Sequence, residues 1–433
     1  MSVVTLQIGQ CGNQLGLEFF KTVAQDVGGV GSRNERTQKR YSQMSTERFF
    51  GSTACEDLVA RAVLIDTESK VTIKALDDAC RGDAWHYAQG ACYTLKHGAG
   101  NNWAFGYITH AQQGLEETLN MVRKQVEACD WLSGFMPILS LSGGTGSGLG
   151  TKITEALKDH FPQTPLVSVV VWPFTSGEVA VQTYNTLLSV SHLQCASDAV
   201  LMMSNDDLYH IVTKRWSIRS TSLAQMNAVG AHQMAALFQP SRSKNGTMVQ
   251  FGDVCSHLTC HPQLKLVTLR HVPQEPAEAV PFSNHTWKAL VASLRRMLLY
   301  QSTSDEGMGS VATHCANVSS ILVARGDHTE MLDVQPLFSV PSSRSAFVPT
   351  EQVLSTWTSS HRFLGLCKSA LLANNGQGCL PRLETTVDRA WHRFTERAYL
   401  HHYTQHGLEE EHFAQAFIQL EQTVEAYKQL GNL

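Results

Sequence analysis

The chain has 433 residues, of which 43% are hydrophobic and 17% charged, and its formal net charge is -4. That length suits roughly two or three packed domains rather than one small core. The apolar fraction excludes a disordered chain, and the weak net charge excludes a surface built mainly to hold nucleic acid.

In chain order, Val3 to Ile8 is an apolar, β-branched run and reads as a buried strand. A glycine-containing turn leads from it into a helix from about Leu15 to Val27, and the polar stretch from Gly28 to Gly51 reads as a surface loop. Ala62 to Ile65 is a second apolar run that ends in Asp66, and Glu116 to Ala128 has helical periodicity. Pro137 to Leu141 is another strand, followed by a glycine-rich turn and a helix from about Leu149 to Phe161. Val167 to Trp172 and Ala199 to Met203 are further strands. Such alternation predicts an α/β fold, with a mostly parallel sheet covered on both faces and ligands at the carboxyl ends of its strands.

Leu223 to Leu237 predicts a helix joining the halves of the chain, and Gln239 to Gly252 a mobile loop. Beyond it, Leu264 to Val272, Ser319 to Arg325 and Gly365 to Ala373 read as strands of a second, smaller sheet. His285 to Leu299 is amphipathic, and Thr385 to Leu430 is helical in pattern except for a break at His406 and Gly407. The 11 cysteines are scattered rather than dense, which predicts reduced thiols of a cytosolic protein. The first residues lack a signal-peptide pattern, and no run reaches the roughly 18 apolar residues of a membrane span.

The strongest chemical signal is Ser142-Gly143-Gly144-Thr145-Gly146-Ser147-Gly148, placed between a strand and a helix. Glycines let the backbone approach an anion closely, and consecutive N–H groups at a helix start can cradle phosphate. The spacing fits neither G-x-G-x-x-G nor the P-loop, since no Gly-Lys-Ser/Thr follows. Cys255, His257, Cys260 and His261 crowd together without a familiar zinc spacing, and His402 and His406 read as surface histidines. Phe413, Phe417, Leu420 and Val424 read as helix packing.

The glycine heptad resembles the phosphate-binding signature of the tubulin and FtsZ family. Gly9-Gln10-Cys11-Gly12-Asn13-Gln14 is similar to the family's first nucleotide loop, and Ala62-Val63-Leu64-Ile65-Asp66-Thr67-Glu68 to the second. Gly98-Ala99-Gly100-Asn101-Asn102-Trp103-Ala104 is similar to the third, and Tyr184-Asn185 and the run from Arg397 to Thr404 also match. The resemblance covers essentially the whole chain, including C-terminal helices that FtsZ lacks, so the chain looks like a tubulin. Within that family Trp172-Pro173 with Gly177-Glu178-Val179, Ser191-His192-Leu193 with Ser197-Asp198-Ala199, and Gly407 to Glu411 with Leu420-Glu421-Gln422 look like the delta class.

That resemblance implies a nucleotide domain over 1–205, a connecting segment and central helix over 206–238, a second domain over 239–384 and C-terminal helices over 385–433. It implies GTP or GDP as ligand. Gln10, Cys11 and Gln14 would then line phosphates and ribose, and Asn101 would face the terminal phosphate with the loop from Ser142 to Gly148. Asp66 and Glu68 would stand near magnesium, through water. Gly177, Glu178 and Gln182 would lie on the ribose side, and Asn205 and Asn227 would read the guanine edge. Leu223 stands where relatives place an aromatic ring on the base, and Gln182 where they place a glutamate.

Water activation for hydrolysis would come from a neighbouring subunit, with Asp253 or Ser256 at the matching position. The implied partners are other tubulin-family subunits of alpha, beta and epsilon type and centriolar microtubules, without nucleic acid or membrane. The implied setting is cytoplasm and cytoskeleton, at centrioles and basal bodies. The expected role is a specialised GTP-binding tubulin of triplet microtubules and cilium biogenesis. The alternatives are a polymerising GTPase subunit of general microtubules and an adaptor that holds nucleotide only for stability. The chain ends Tyr427 to Leu433 without the acidic run of lattice tubulins, which favours the specialised role.

Overall fold

Short β-branched runs and the helices between them assemble as repeated strand–helix units. The structure, a computed structural model, describes residues 1–29, 31, 34–52, 57–82, 84–177, 179–218, 220–282, 284–304, 315–338, 345 and 353–431. In the first part β1 (Ser2–Ile8) runs into α1 (Gly9–Gly28), followed by α2 (Glu35–Phe49), β2 (Phe50–Ser52), β3 (Leu58–Ala60), β4 (Ala62–Asp66) and α3 (Ser69–Cys80). Then come β5 (His86–Tyr87), β6 (Cys92–Thr94), α4 (Ala111–Glu127), β7 (Leu132–Ser140), α5 (Gly150–His160), β8 (Val167–Trp172), α6 (Gln182–Ala196) and β9 (Ala199–Ser204).

Strands β9, β8, β7, β1, β4 and β6 lie side by side in that order and are all parallel. The chain lays down β4 and β6 on one side of β1 and β7, β8 and β9 on the other, so the order reverses at β1. Crossover loops diverge at such a reversal and leave a crevice beyond the carboxyl ends of the strands. Side chains alternate across the sheet: Val167, Val169 and Val171 meet α1 and the helix 223–238, whereas Val170 and Trp172 meet α4, α5, α6 and the C-terminal helices. Burial on both faces explains why these strands read as unbroken apolar runs.

The chain continues through α7 (Asn205–His210), α8 (Leu223–Phe238), β10 (Arg242–Ser243), α9 (Gly252–Leu258), β11 (Leu266–Val272), α10 (Trp287–Leu299), β12 (Asn317–Gly326), β13 (Leu354–Ser359) and β14 (Lys368–Gly376). It ends in α11 (Leu380–Thr395), α12 (His401–Thr404) and α13 (Glu410–Gln429). The second, mixed sheet runs β11, β14, β12, β13, β10 and joins the first through a short parallel pairing of Leu266–Thr268 with Val200–Met202. Phe413, Phe417, Leu420 and Val424 of α13 are buried against the first sheet's outer helices, as packing residues.

Two stretches differ from the expectation. The segment from Gly28 to Gly51 holds helix α2, begun by Asn34, whose side chain accepts from the backbone N–H groups of Arg36 and Thr37. Its buried face is Tyr41, Ser45, Arg48 and Phe49, half of it polar, so no apolar stripe marks it. The segment from Gln239 to Gly252 is anchored rather than free: Gln239, Ser241, Val249 and Phe251 are buried. Arg48 donates to the carbonyls of Phe238 and Val249 at 2.5 and 2.8 Å.

Candidate functional site

A cavity of about 480 Å³ opens at the reversal point of the strand order. The loops after β1, β4 and β7 all reach it, with α8 closing one side. Gln10, Cys11, Gln14, Asp66, Glu68, Asn101, Ser142, Gly143, Gly144, Thr145, Gly146, Asn205, Leu223 and Asn227 line it. Residues far apart in sequence thus converge on one space.

The backbone is the reason for the glycines. Gly9 has φ +73, and a Cβ there would stand 2.9 Å from the Gly146 nitrogen. A Cβ on Gly144 would meet the Ala99 carbonyl at 2.6 Å. Any larger residue would force the loops after β1, β6 and β7 apart. Thr67 and Thr145 share a hydrogen bond of 2.6 Å that ties the loops after β4 and β7. Ser147 is buried and donates to the Gly143 carbonyl. Ser147 and Gly148 therefore shape the loop from behind and are not on the cavity wall.

Asn185 of α6 was not singled out from the sequence as a site residue, yet it organises the site. Its Nδ2 donates to the carbonyls of Asn101 and Ser142, each at 2.7 Å, and its Oδ1 accepts from the Trp103 N–H at 3.0 Å. The Tyr403 hydroxyl donates to the same Oδ1 at 2.7 Å. Asn102 Nδ2 donates to the His402 carbonyl at 2.5 Å. The loops after β6 and β7 are thus pinned from the C-terminal helices. The signal in the sequence was the Tyr184-Asn185 pair that matches the family, and the amide proves fully buried and paired, as buried amides must be.

Asp66 is the buried carboxylate of the site. It is 3% exposed, and its Oδ2 has no hydrogen-bond partner in the structure. Its Oδ1 accepts from the Glu68 N–H at 3.3 Å. Burial pushes its carboxyl up to about 6. Asp66 and Glu68 are the carboxylates of the cavity wall. An orphaned buried carboxylate oxygen beside a second carboxylate fits a hard cation that keeps most of its water or phosphate ligands, as magnesium does. Burial pushes the Cys11 thiol up to about 12, so it stays protonated and lines the cavity as a small apolar group.

The expected ribose side is arranged differently. Gln182 is not on this cavity wall; its Nε2 donates to the Phe174 carbonyl at 3.0 Å, and its amide lies against Gly177. Gln182 instead lines a neighbouring cavity of about 370 Å³ with Trp172, Phe174, Asp206 and Arg389. Thr175 donates from both N–H and hydroxyl to Asp206, at 3.0 and 2.7 Å, which ties the loop after β8 to α7. Glu178 lies outside the described residues.

Asp253 and Ser256 are exposed on α9. Asp253 accepts from the Gln250 N–H at 2.7 Å, and Gly252 packs on Pro165, just before the amino end of β8. That is the end of the parallel sheet opposite the cavity, so neither residue can reach a ligand bound by its own chain. Cys255 faces the core, and His257 Nε2 meets the Ser320 carbonyl at 3.1 Å. Among the described residues no group of three or more His, Cys, Asp or Glu side chains converges as a metal cage, and the described cysteines are free thiols.

Residues 2–213 match the family described as "Tubulin/FtsZ family, GTPase domain". Over its full length the chain is 37% identical to the tubulin delta chain of Canis lupus familiaris, covering 99% of both sequences. It is 35% identical to the tubulin delta chain of Homo sapiens, again over 99% of both. Against the tubulin beta-1 chain of Chondrus crispus the identity is 26%, over 99% of this chain and 94% of that one.

Proposed function

The chain belongs to the tubulin family, and from that premise we propose that it is a guanine-nucleotide-binding tubulin of delta type, serving the assembly or maintenance of triplet microtubules in centrioles and basal bodies. The observation that carries this reading is the full-length likeness to chains named tubulin delta. The convergence of the expected loops on one cavity supports it. GTP or GDP lies in that cavity, with phosphates against the backbone N–H groups from Ser142 to Gly146 and Asn101 beside the terminal one. Asn205 and Asn227 offer donors and acceptors to the guanine edge, and leaving such an edge unpaired costs about 1–3 kcal/mol, which disfavours adenine. Leu223 packs on the base without ring stacking.

Asp66 and Glu68 would hold magnesium, which would supply positive charge against the phosphates. Asn185 keeps the loops at the spacing that the phosphates need. The partners are other tubulin-family subunits in the cytoplasmic cytoskeleton. A tagged copy at native level should mark centrioles and basal bodies and little else; even labelling of all microtubules would contradict the delta role.

A second reading, a polymerising GTPase of general microtubules, is favoured by the exposed Asp253 at the far end of the sheet. Phosphate release that rises strongly when alpha and beta subunits are added would support it, whereas tightly held, unhydrolysed GTP favours the specialised role.

A further inference from the structure

A second cavity of about 450 Å³ lies between α1, α3 and the start of α8. It shares Gln10, Gln14, Val71, Leu223 and Asn227 with the nucleotide cavity, so the spaces meet along one wall. Its outer rim carries Lys21, Lys70 and Lys74. Lys21 is paired with Glu18 at 3.0 Å, and the rim's Asp78 is paired with Arg81 at 3.2 Å. Lys70 and Lys74 are exposed, one helical turn apart on α3, and among the described residues neither has an ion-pair partner. The uncompensated charge of this vestibule is therefore positive.

Leu223 stands on the shared wall. It is 55% exposed although it is the first residue of a long helix. Ser222 and Gln225 form a reciprocal cap at that point, which fixes where Leu223 projects. A flexible aliphatic side chain there closes the passage only loosely, because nothing packs over it.

We propose that this vestibule is the lateral entry and exit route of the guanine nucleotide, with Leu223 as its gate and Lys70 and Lys74 as charges that steer the polyphosphate inward. Opposite charge near a cleft raises the association rate, and salt removes the effect. A gate acts differently from a contact: narrowing it slows entry and exit together. This inference rests on the nucleotide reading of the main cavity.

The test is stopped-flow binding of N-methylanthraniloyl-GDP to the purified full chain. The double variant K70E/K74E should lower the association rate about fivefold or more at low ionic strength, with the loss shrinking in high salt. Its dissociation rate should be unchanged. Leu223→Trp narrows the passage and also places a ring against the base, so its association rate should fall whatever stacking does to its dissociation rate. An unchanged association rate in K70E/K74E, or a Leu223→Trp effect confined to dissociation, overturns the route. Wild-type protein that binds no guanine nucleotide at equilibrium would instead overturn the reading beneath it. Thermal melting of both variants separates misfolding from altered entry.

Discussion

Asp66 holds a carboxylate in a place where the fold alone gives one of its oxygens no partner. Its folded pKa is raised by burial to about 6, above the ordinary carboxylate value of about 3.9. The sign follows: the penalty is absent while both states are protonated, grows as pH rises through about 4 to 6, and is fully present above about 6. A shift of that size corresponds to about 3 kcal/mol of lost stability in the ligand-free protein. Asp66→Asn should therefore raise the melting temperature of nucleotide-free protein above pH 6 and leave it unchanged near pH 4. The same variant should flatten the magnesium dependence of nucleotide affinity; an unaltered magnesium titration would remove Asp66 from the ion's surroundings.

Asn185 sets the second prediction at this scale. Its amide joins Asn101, Ser142, Trp103 and Tyr403, and Asn185→Ala leaves buried loop groups unpaired at about 1–3 kcal/mol each. Nucleotide affinity measured by calorimetry should fall about ten- to a hundredfold. Tyr403→Phe removes the hydroxyl that reaches Asn185 and the Val181 carbonyl but leaves the amide's bonds to the loops, and should cost less than about fivefold. Equal losses in the two variants would mean that the hydroxyl, not the amide, holds the loops.

At the scale of elements, α8 links the nucleotide cavity to the second sheet, and its ends are finished by different means. Its amino end has the reciprocal Ser222–Gln225 cap. Its carboxyl end is held by Arg325, 1% exposed, which donates to the carbonyls of Ala236, Gln239 and Pro240 at 3.1, 2.6 and 2.8 Å. The Ala236 and Gln239 carbonyls are groups that a helix end leaves unsatisfied, and a cation there also meets the negative end of the helix dipole. Arg325→Met should destabilise the fold by roughly 3–5 kcal/mol, read as a lower denaturant midpoint. A loss below about 1 kcal/mol would show that water replaces the guanidinium.

The element scale also shows what the sequence made legible. Strands β1, β4, β8 and β9 were readable because burial on both faces leaves uninterrupted apolar runs. The glycine loop was readable because close backbone approach admits no other residue. Helix α2 was hidden because it buries Tyr41, Ser45 and Arg48 through hydrogen bonds, not through an apolar stripe: Ser45 donates to Gln239 at 2.5 Å and Tyr41 to Asp26 at 2.6 Å. The inward turn of Gln182 was equally hidden, since it depends on a loop held by Asp206 and by Arg389, whose guanidinium donates to the Thr175 carbonyl at 2.6 Å. Distant partners of that kind leave no periodic trace.

On the scale of the whole molecule, the parallel sheet gives the chain a direction. The nucleotide cavity lies at the carboxyl ends of the strands and the exposed Asp253 at the other. Stacking subunits head to tail would bring Asp253 of one chain toward the cavity of the next, which is the only way that carboxylate could act on the nucleotide. Asp253→Asn should leave nucleotide binding by the isolated chain unchanged. It should lower phosphate release at least about tenfold in mixtures with alpha and beta subunits. Equal release by the variant and the wild type in such mixtures would take Asp253 out of the chemistry.

The most direct test of the central claim is the nucleotide content of the purified full chain, released by denaturation and resolved by ion-exchange chromatography. A stoichiometric guanine nucleotide, lost when magnesium is chelated and absent from a Gly144→Val variant, is the predicted result. Adenine nucleotide in its place, or a folded chain that carries none and binds none when GTP and magnesium are supplied, would contradict the account.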